Sequence, residues 1–169
     1  MPAAARTIMS DTPAHDEKKP VSRRKARKQA FECLYGLIFE TAADERSLRR
    51  AFKRCPHDVV EGEDDTGQDF AWELVQGVWT KQRELDALIV RFSKNWKLAR
   101  IAKVELTILR LAVYEILFSP DIPLRVALNE AIELAKRYGD ENSRNFINGI
   151  LDAIAKAVDS GEFEIHKDL

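Results

Sequence analysis

The sequence has little of what most enzymes, secreted domains and membrane proteins are built from. Its 169 residues include two cysteines, three histidines and seven glycines. Cys33 and Cys55 make neither a CxxC pair nor a metal-ligand spacing. The N-terminus lacks an apolar export core, so the two read as reduced thiols of a cytoplasmic protein. His15, His57 and His166 fall in presumed tails or in an acidic loop, away from a rigid scaffold. Cys55-Pro56-His57-Asp58 puts a few soft ligands in a loop, which does not make a metal site. No glycine run has the form of a phosphate-binding loop or a nucleophile elbow. These shortages argue against an enzyme and imply no cofactor and no metal. No run approaches the ~20 apolar residues that span a bilayer. Strand-type alternation between turn signals and internal repeats are also missing.

What the chain does have is helical periodicity. Hydrophobic residues make up 45% and charged residues 33%, as in a helical domain with solvated outer faces. The net charge of -1 says nothing about partners, but the charges are unevenly spread. The chain is organised around Val104 to Leu151. Leu106, Ile108, Leu109, Leu111, Ala112, Val113, Ile116 and Leu117 leave almost no polar face, which predicts a helix covered on all sides. Ser119-Pro120-Asp121-Ile122-Pro123 breaks it. A second helix follows and stops at Tyr138-Gly139, where glycine is expected to supply a left-handed C-cap. A third starts within Asp140–Asn142 and carries the stripe Phe146, Ile147, Ile150, Leu151, Ile154, Val158.

Upstream, residues 1–20 show no periodicity and read as a disordered tail. The helical domain spans 21–158, and 159–169 reads as a polar, frayed tail. Helix one is expected from Val21 or Ser22 to Glu40, and a short helix from Ala43 to Arg54. Residues 57–69 are acidic and read as a loop between two helical blocks. A long helical region starts at Phe70, where Gln76-Gly77 suggests close packing rather than a break. The fold class is all-α, a compact bundle of roughly seven helices joined by short links.

One basic run stands out: Arg23, Arg24, Lys25, Arg27 and Lys28. At 100° per residue, Arg23 and Arg27 point nearly the same way as Ala30 and Leu34, which a core must cover. Either this first part of the helix projects beyond the bundle, or these arginines meet a polyanion. From the pattern alone, a nucleic-acid ligand and a plain solvated face remain equally open. Tyr35 on the same helix fits a core-edge aromatic. Phe146 fits the apolar stripe, yet lies close enough to a helix start for its ring to stack on a base, with Arg144 adding charge. Arg110 and Glu115 in the buried helix, and Asn129 and Glu130 in the next, read as a hydrogen-bonded set that fixes helix register rather than as catalytic groups. Trp72, Trp79 and Trp96 read as core or subdomain contacts.

The stretch from Leu109-Arg110 through Tyr114-Glu115, Asp121-Ile122-Pro123, Val126-Ala127-Leu128-Asn129-Glu130-Ala131, Glu133-Leu134-Ala135-Lys136 and Phe146-Ile147-Asn148-Gly149-Ile150-Leu151 resembles the C-terminal half of the NusB family. Those are bacterial transcription antitermination factors. More loosely, the likeness extends from Arg23 to Lys156. It implies two small helical subdomains. It also implies that Arg23, Arg24, Lys25 and Arg27, with Lys28, bind the boxA element of ribosomal RNA leaders. Tyr35, Arg144 and Phe146 would lie beside that RNA. Glu105, expected to be exposed, would face NusE, a ribosomal protein, within the RNA polymerase antitermination complex. A homodimer is left open, since some relatives dimerise. In one respect the chain departs from the pattern: Asn142 stands where several relatives carry an acidic residue, removing a negative charge beside the RNA path. Two other classes stand as alternatives. One is a protein-interaction bundle without RNA. The other is a relative of the N-terminal domain of ribosomal RNA cytosine methyltransferases, for whose catalytic domain 169 residues leave no room.

Overall fold

The computed structural model describes residues 22–56, 66–94 and 96–164. Six α-helices and one short 3-10 turn make up the described residues: α1 (Arg23–Leu37), α2 (Glu45–Arg54), α3 (Thr66–Phe92), the turn Leu98–Arg100, α4 (Lys103–Phe118), α5 (Leu124–Tyr138) and α6 (Glu141–Asp159). The expected tail at 1–20 and most of the acidic loop lie outside them.

As the apolar pattern requires, α4 is the central element. Every residue from Leu106 to Ile116 is buried except Arg110. The helix packs against α1, α3, α5 and α6, so each of its sides has a partner that removes its surface from water. Ile122 in the proline-bounded break is buried and plugs one end of this core.

Local signals set most boundaries. Asp44 caps α2 by accepting from the Ser47 N–H at 2.7 Å, and the Ser47 hydroxyl accepts from the Asp44 N–H at 3.0 Å. Asp140 caps α6, accepting from the Ser143 N–H at 2.8 Å. Gly77 fulfils the close-packing expectation: a Cβ there would lie 2.1 Å from Cζ of Tyr114, so the α4 ring lies directly on the α3 backbone.

Three expectations need correction. Gly139 is extended (φ -109°, ψ -169°), not left-handed. Its reason for being glycine is space, because a Cβ would stand 2.8 Å from the Ser143 Cβ in the first turn of α6. Residues 66–69 belong to α3 rather than to the acidic loop, and Gln68 pairs side chain to side chain with Gln29 of α1 at 3.1 Å. The segment after Asp159 is packed at its start: Phe163 lies 6.3 Å from the Phe92 ring, and Glu162 pairs with Arg91. Residues 165–169 lie outside the described chain.

Leu109 is fully buried. Leu109→Ala should therefore lower stability by about 2–5 kcal/mol through the missing transfer energy and the cavity left behind. Urea denaturation of the two proteins measures it; an unchanged midpoint would contradict the central place of α4.

Candidate nucleic-acid interface

The basic run at the start of α1 divides by direction. Arg27 turns inward and is 3% exposed. Its Nε donates to Oε1 of Glu115 at 2.8 Å, and its Nη2 lies 2.7 Å from the same oxygen. Glu115 is itself 2% exposed. Glu130 lies 4.0 Å from the other side of the guanidinium. Phe70 of α3 packs beside it, its ring 5.4 Å from Arg27 and 5.0 Å from Arg23. Arg27 therefore neither projects from the bundle nor offers a surface to RNA. It is a core cation with its own buried counter-charge, and the expectation that it binds RNA is corrected. Arg23 remains at the surface, 3.1 Å from Asp121.

Arg24 shares Glu130 with Arg27 but stays at the surface. Its Nη2 donates to Glu130 at 2.8 Å, an interaction that raises its pKa further above the ordinary arginine value. It is still largely exposed, and a guanidinium has five donors, so donors remain for a second anion. Lys28 stands 3.9 Å from Glu32 one turn on. Between α1 and α5 runs a cleft of about 550 Å³, lined by Arg24, Lys25 and Lys28 from one helix and Lys136 and Arg137 from the other. Glu130 and Glu133 lie along it, and Lys136 donates to Glu133 at 3.0 Å. Five cations against two carboxylates leave the cleft net positive. Lys136 and Arg137 are not among the residues that the sequence pattern singles out. In sequence they look like cations placed to complement a helix C-terminus, and only the packing of α5 beside α1 brings them to Lys28.

Tyr35 and Glu105 lie toward the other end of α1, and Arg144 and Phe146 stand on α6. From Arg24 to Tyr35 is about 16 Å along the helix axis. Tyr35 is half-buried, with Phe31 at 6.0 Å and Phe39 at 5.4 Å. The Lys103 ammonium sits 4.5 Å over the Phe39 ring, which brings the start of α4 to this end. Tyr138, the last residue of α5, donates to Glu32 at 2.5 Å; burial and that carboxylate push its pKa up to about 12. Phe146 is half-buried in the second turn of α6, as is Arg144. Glu105, expected to be exposed, is half-buried in the first turn of α4. A groove of about 660 Å³ opens between α1, α3 and α4, walled by Leu34, Leu37, Ile38, Trp79, Leu98 and Leu106; from α4, Lys103 and Arg110 also reach it, while Glu105 lies on another side of the helix.

The structural polar set exists, but its pairing differs from the expectation. Arg110 binds Asp86 of α3 through two bonds of 2.7 and 2.9 Å, not a group on α5. Glu115 takes Arg27 of α1. Glu130 of α5 takes Arg24. Asn129 is exposed and lies outside the set. Cys33 and Cys55 are free thiols that touch one another, and Cys33, hydrogen-bonded to Cys55 and buried, is held well above the ordinary thiol range. Among the described residues no cluster of metal-ligating groups occurs, and no helix is long and apolar enough to cross a membrane.

A small all-helical bundle with a cationic cleft at its surface and aromatic rings at one end has the features of a nucleic-acid-binding helical protein. The chain belongs to the NusB family, whose model matches residues 24–156. A relative called transcription antitermination protein NusB, from Nitratidesulfovibrio vulgaris strain DP4, is 51% identical over 143 residues, covering 85% of this chain and 94% of the relative. The protein of the same name from Geobacter sp. strain M21 is 42% identical over 149 residues, covering 83% of this chain and 99% of its own. Among solved structures, NusB of T. maritima superposes with a TM-score of 0.69 at 39% identity, covering 81% of this chain and 92% of that one. A chain from the crystal structure of antitermination factors NusB and NusE in complex with double-stranded RNA gives 0.65 at 26% identity, over 80% and 96%.

The division of the basic run can be tested on stability. Arg27→Ala takes away the guanidinium that neutralises Glu115 in the core and should cost about 3–5 kcal/mol. Arg27→Met combined with Glu115→Leu should recover most of that deficit, since an apolar pair needs no compensation. Arg24→Ala should barely move the midpoint. Thermal denaturation of the three variants gives the comparison.

Proposed function

We propose that this protein is a transcription antitermination factor that binds boxA-type RNA of ribosomal RNA leaders together with NusE, and so helps keep RNA polymerase processive. The observation that carries the reading is the cationic cleft between α1 and α5 in a chain of this family. Single-stranded RNA is bound by a positive groove tracking its backbone and by rings that stack on its bases. The cleft supplies the first, through Arg24, Lys25, Lys28, Lys136 and Arg137. Tyr35 further along α1, and Phe146 with Arg144 on α6, supply the second. Arg23 contributes charge beside the cleft, and Arg27 holds the helix that presents it. Such binding requires no covalent chemistry and no cofactor. It places the protein in the cytoplasm, where transcription occurs.

NusE is assigned to the end of the bundle that carries Glu105. The half-buried carboxylate there suits a partner offering a cation, and the apolar groove on another side of α4 suits an apolar side chain of the same partner. RNA and NusE then occupy different stretches of one surface. Any homodimer that covered the cleft would compete with RNA.

Two measurements test this. Replacing Arg24, Lys25 and Lys28 together with Ala should leave the melting temperature nearly unchanged and lower RNA affinity sharply. The slope of log affinity against log salt should flatten by about 2, at ~0.7 for each phosphate no longer neutralised. Filter binding of labelled leader RNA at several salt concentrations, against a scrambled control, reads both; an unaltered slope would move the RNA site elsewhere. Separately, Glu105→Lys should weaken NusE binding in calorimetry while RNA affinity in the absence of NusE stays as in the parent. Unchanged NusE affinity would remove Glu105 from the interface.

A further inference from the structure

Core packing does not account for Trp96. It is 51% exposed, whereas Trp72 and Trp79 are both partly buried against the core. The turn after α3 holds it there. The Ser93 N–H returns to the Ile89 carbonyl at 2.9 Å and its hydroxyl donates to the Val90 carbonyl at 3.0 Å. Lys94 then reverses the chain with φ 54°, a left-handed conformation that an ordinary L-residue adopts only at a cost. The Trp96 N–H closes the turn on the Ser93 carbonyl at 3.3 Å. The indole leans on Phe146, with ring centroids 5.7 Å apart and planes inclined at 54°. One edge of the indole is thereby fixed while much of the ring stays in water.

The segment that carries it holds charge of one sign. From Ser93 to Lys103 the chain carries Lys94, Lys97, Arg100 and Lys103 and no carboxylate. All four of these cations are exposed. Arg144 lies two residues before Phe146 on α6. An open aromatic ring, braced by a second ring and flanked by exposed cations, suits a base with its phosphates on either side. A protein side chain would more naturally take the groove between α1, α3 and α4, which is walled mainly by aliphatic residues.

We propose that Trp96, braced by Phe146 and flanked by Lys97 and Arg100, is a nucleobase-stacking site for single-stranded RNA. It extends the RNA surface beyond the cleft and past Phe146, and it rests on the RNA-binding reading above.

The test is titration of labelled single-stranded leader RNA, at several salt concentrations, with the parent protein and with Trp96→Ala, Trp96→Leu and Trp96→Phe. Removal of stacking predicts a fall of roughly 5- to 150-fold for the Ala and Leu variants with the salt slope retained. Trp96→Phe should keep most of the affinity. Leu keeps an apolar contact with Phe146, so it remains readable should Ala impair folding. Parent-like binding by Trp96→Leu, in a protein whose Arg24/Lys25/Lys28 variant still loses affinity, overturns the site and leaves the RNA reading standing. Failure of the parent to prefer leader RNA over scrambled RNA overturns both. Weaker binding of NusE with unchanged RNA affinity would make Trp96 a protein contact and overturn the assignment.

Discussion

Arg27 and Glu115 set the frame for everything around them. Two charges removed from water must find each other or destabilise the fold, because an unpaired buried ion has no comparable substitute for its hydration. Glu115 sits on a helix with almost no solvent-facing side, so its counter-charge has to come from a neighbouring helix. Arg27 meets it from the line of α1 that also carries Ala30 and Leu34. The pairing is directional: shifting α1 by one residue against α4 would rotate the guanidinium away by about 100°. It therefore fixes the register of the two helices, and the surface pairs Arg23–Asp121 and Arg24–Glu130 follow from it.

One short run of cations thus does two kinds of work. Arg27 is spent inside the bundle, and Arg24 and Lys28, four positions apart and so on one face of the helix, look across the cleft toward α5. Charge at the surface is oriented by charge in the core. The acidic residues in the cleft do not cancel this. Glu130 and Glu133 hold Arg24 and Lys136 in extended, oriented states, and the net balance stays positive.

The fold was largely legible because its signals are local. The all-round apolar pattern of α4, the proline break before α5, the caps and the close approach at Gly77 each follow from residues near one another in sequence. Gly139 misled because one residue type answers two needs. Glycine relieves a positive φ and also makes room for a neighbour, and here the neighbour is Ser143. The site was legible in part. The basic run was visible, and so was the line that Arg27 shares with Ala30 and Leu34, but Arg27 was expected to meet RNA, because the partner that holds it inside, Glu115, lies 88 residues away. Arg110 invited a partner on the following helix and took Asp86 on the preceding one, since antiparallel neighbours are equally close and sequence order does not choose between them. The surface roles of Lys136, Arg137 and Trp96 were not legible, because they depend on which elements pack side by side. Periodicity along one helix does not carry that information.

Because α1 is anchored at Arg27, a ligand drawing on Arg24 cannot tilt the helix without opening the core. The cleft is consequently preorganised: little ordering of backbone accompanies association, and the entropic cost of binding is confined to the ligand and to a few lysine side chains. For the RNA ligand proposed above, encounter is then governed by long-range attraction, which treats all RNA sequences much alike. Discrimination among them would appear in how long each complex survives once its bases have met the proposed stacking rings.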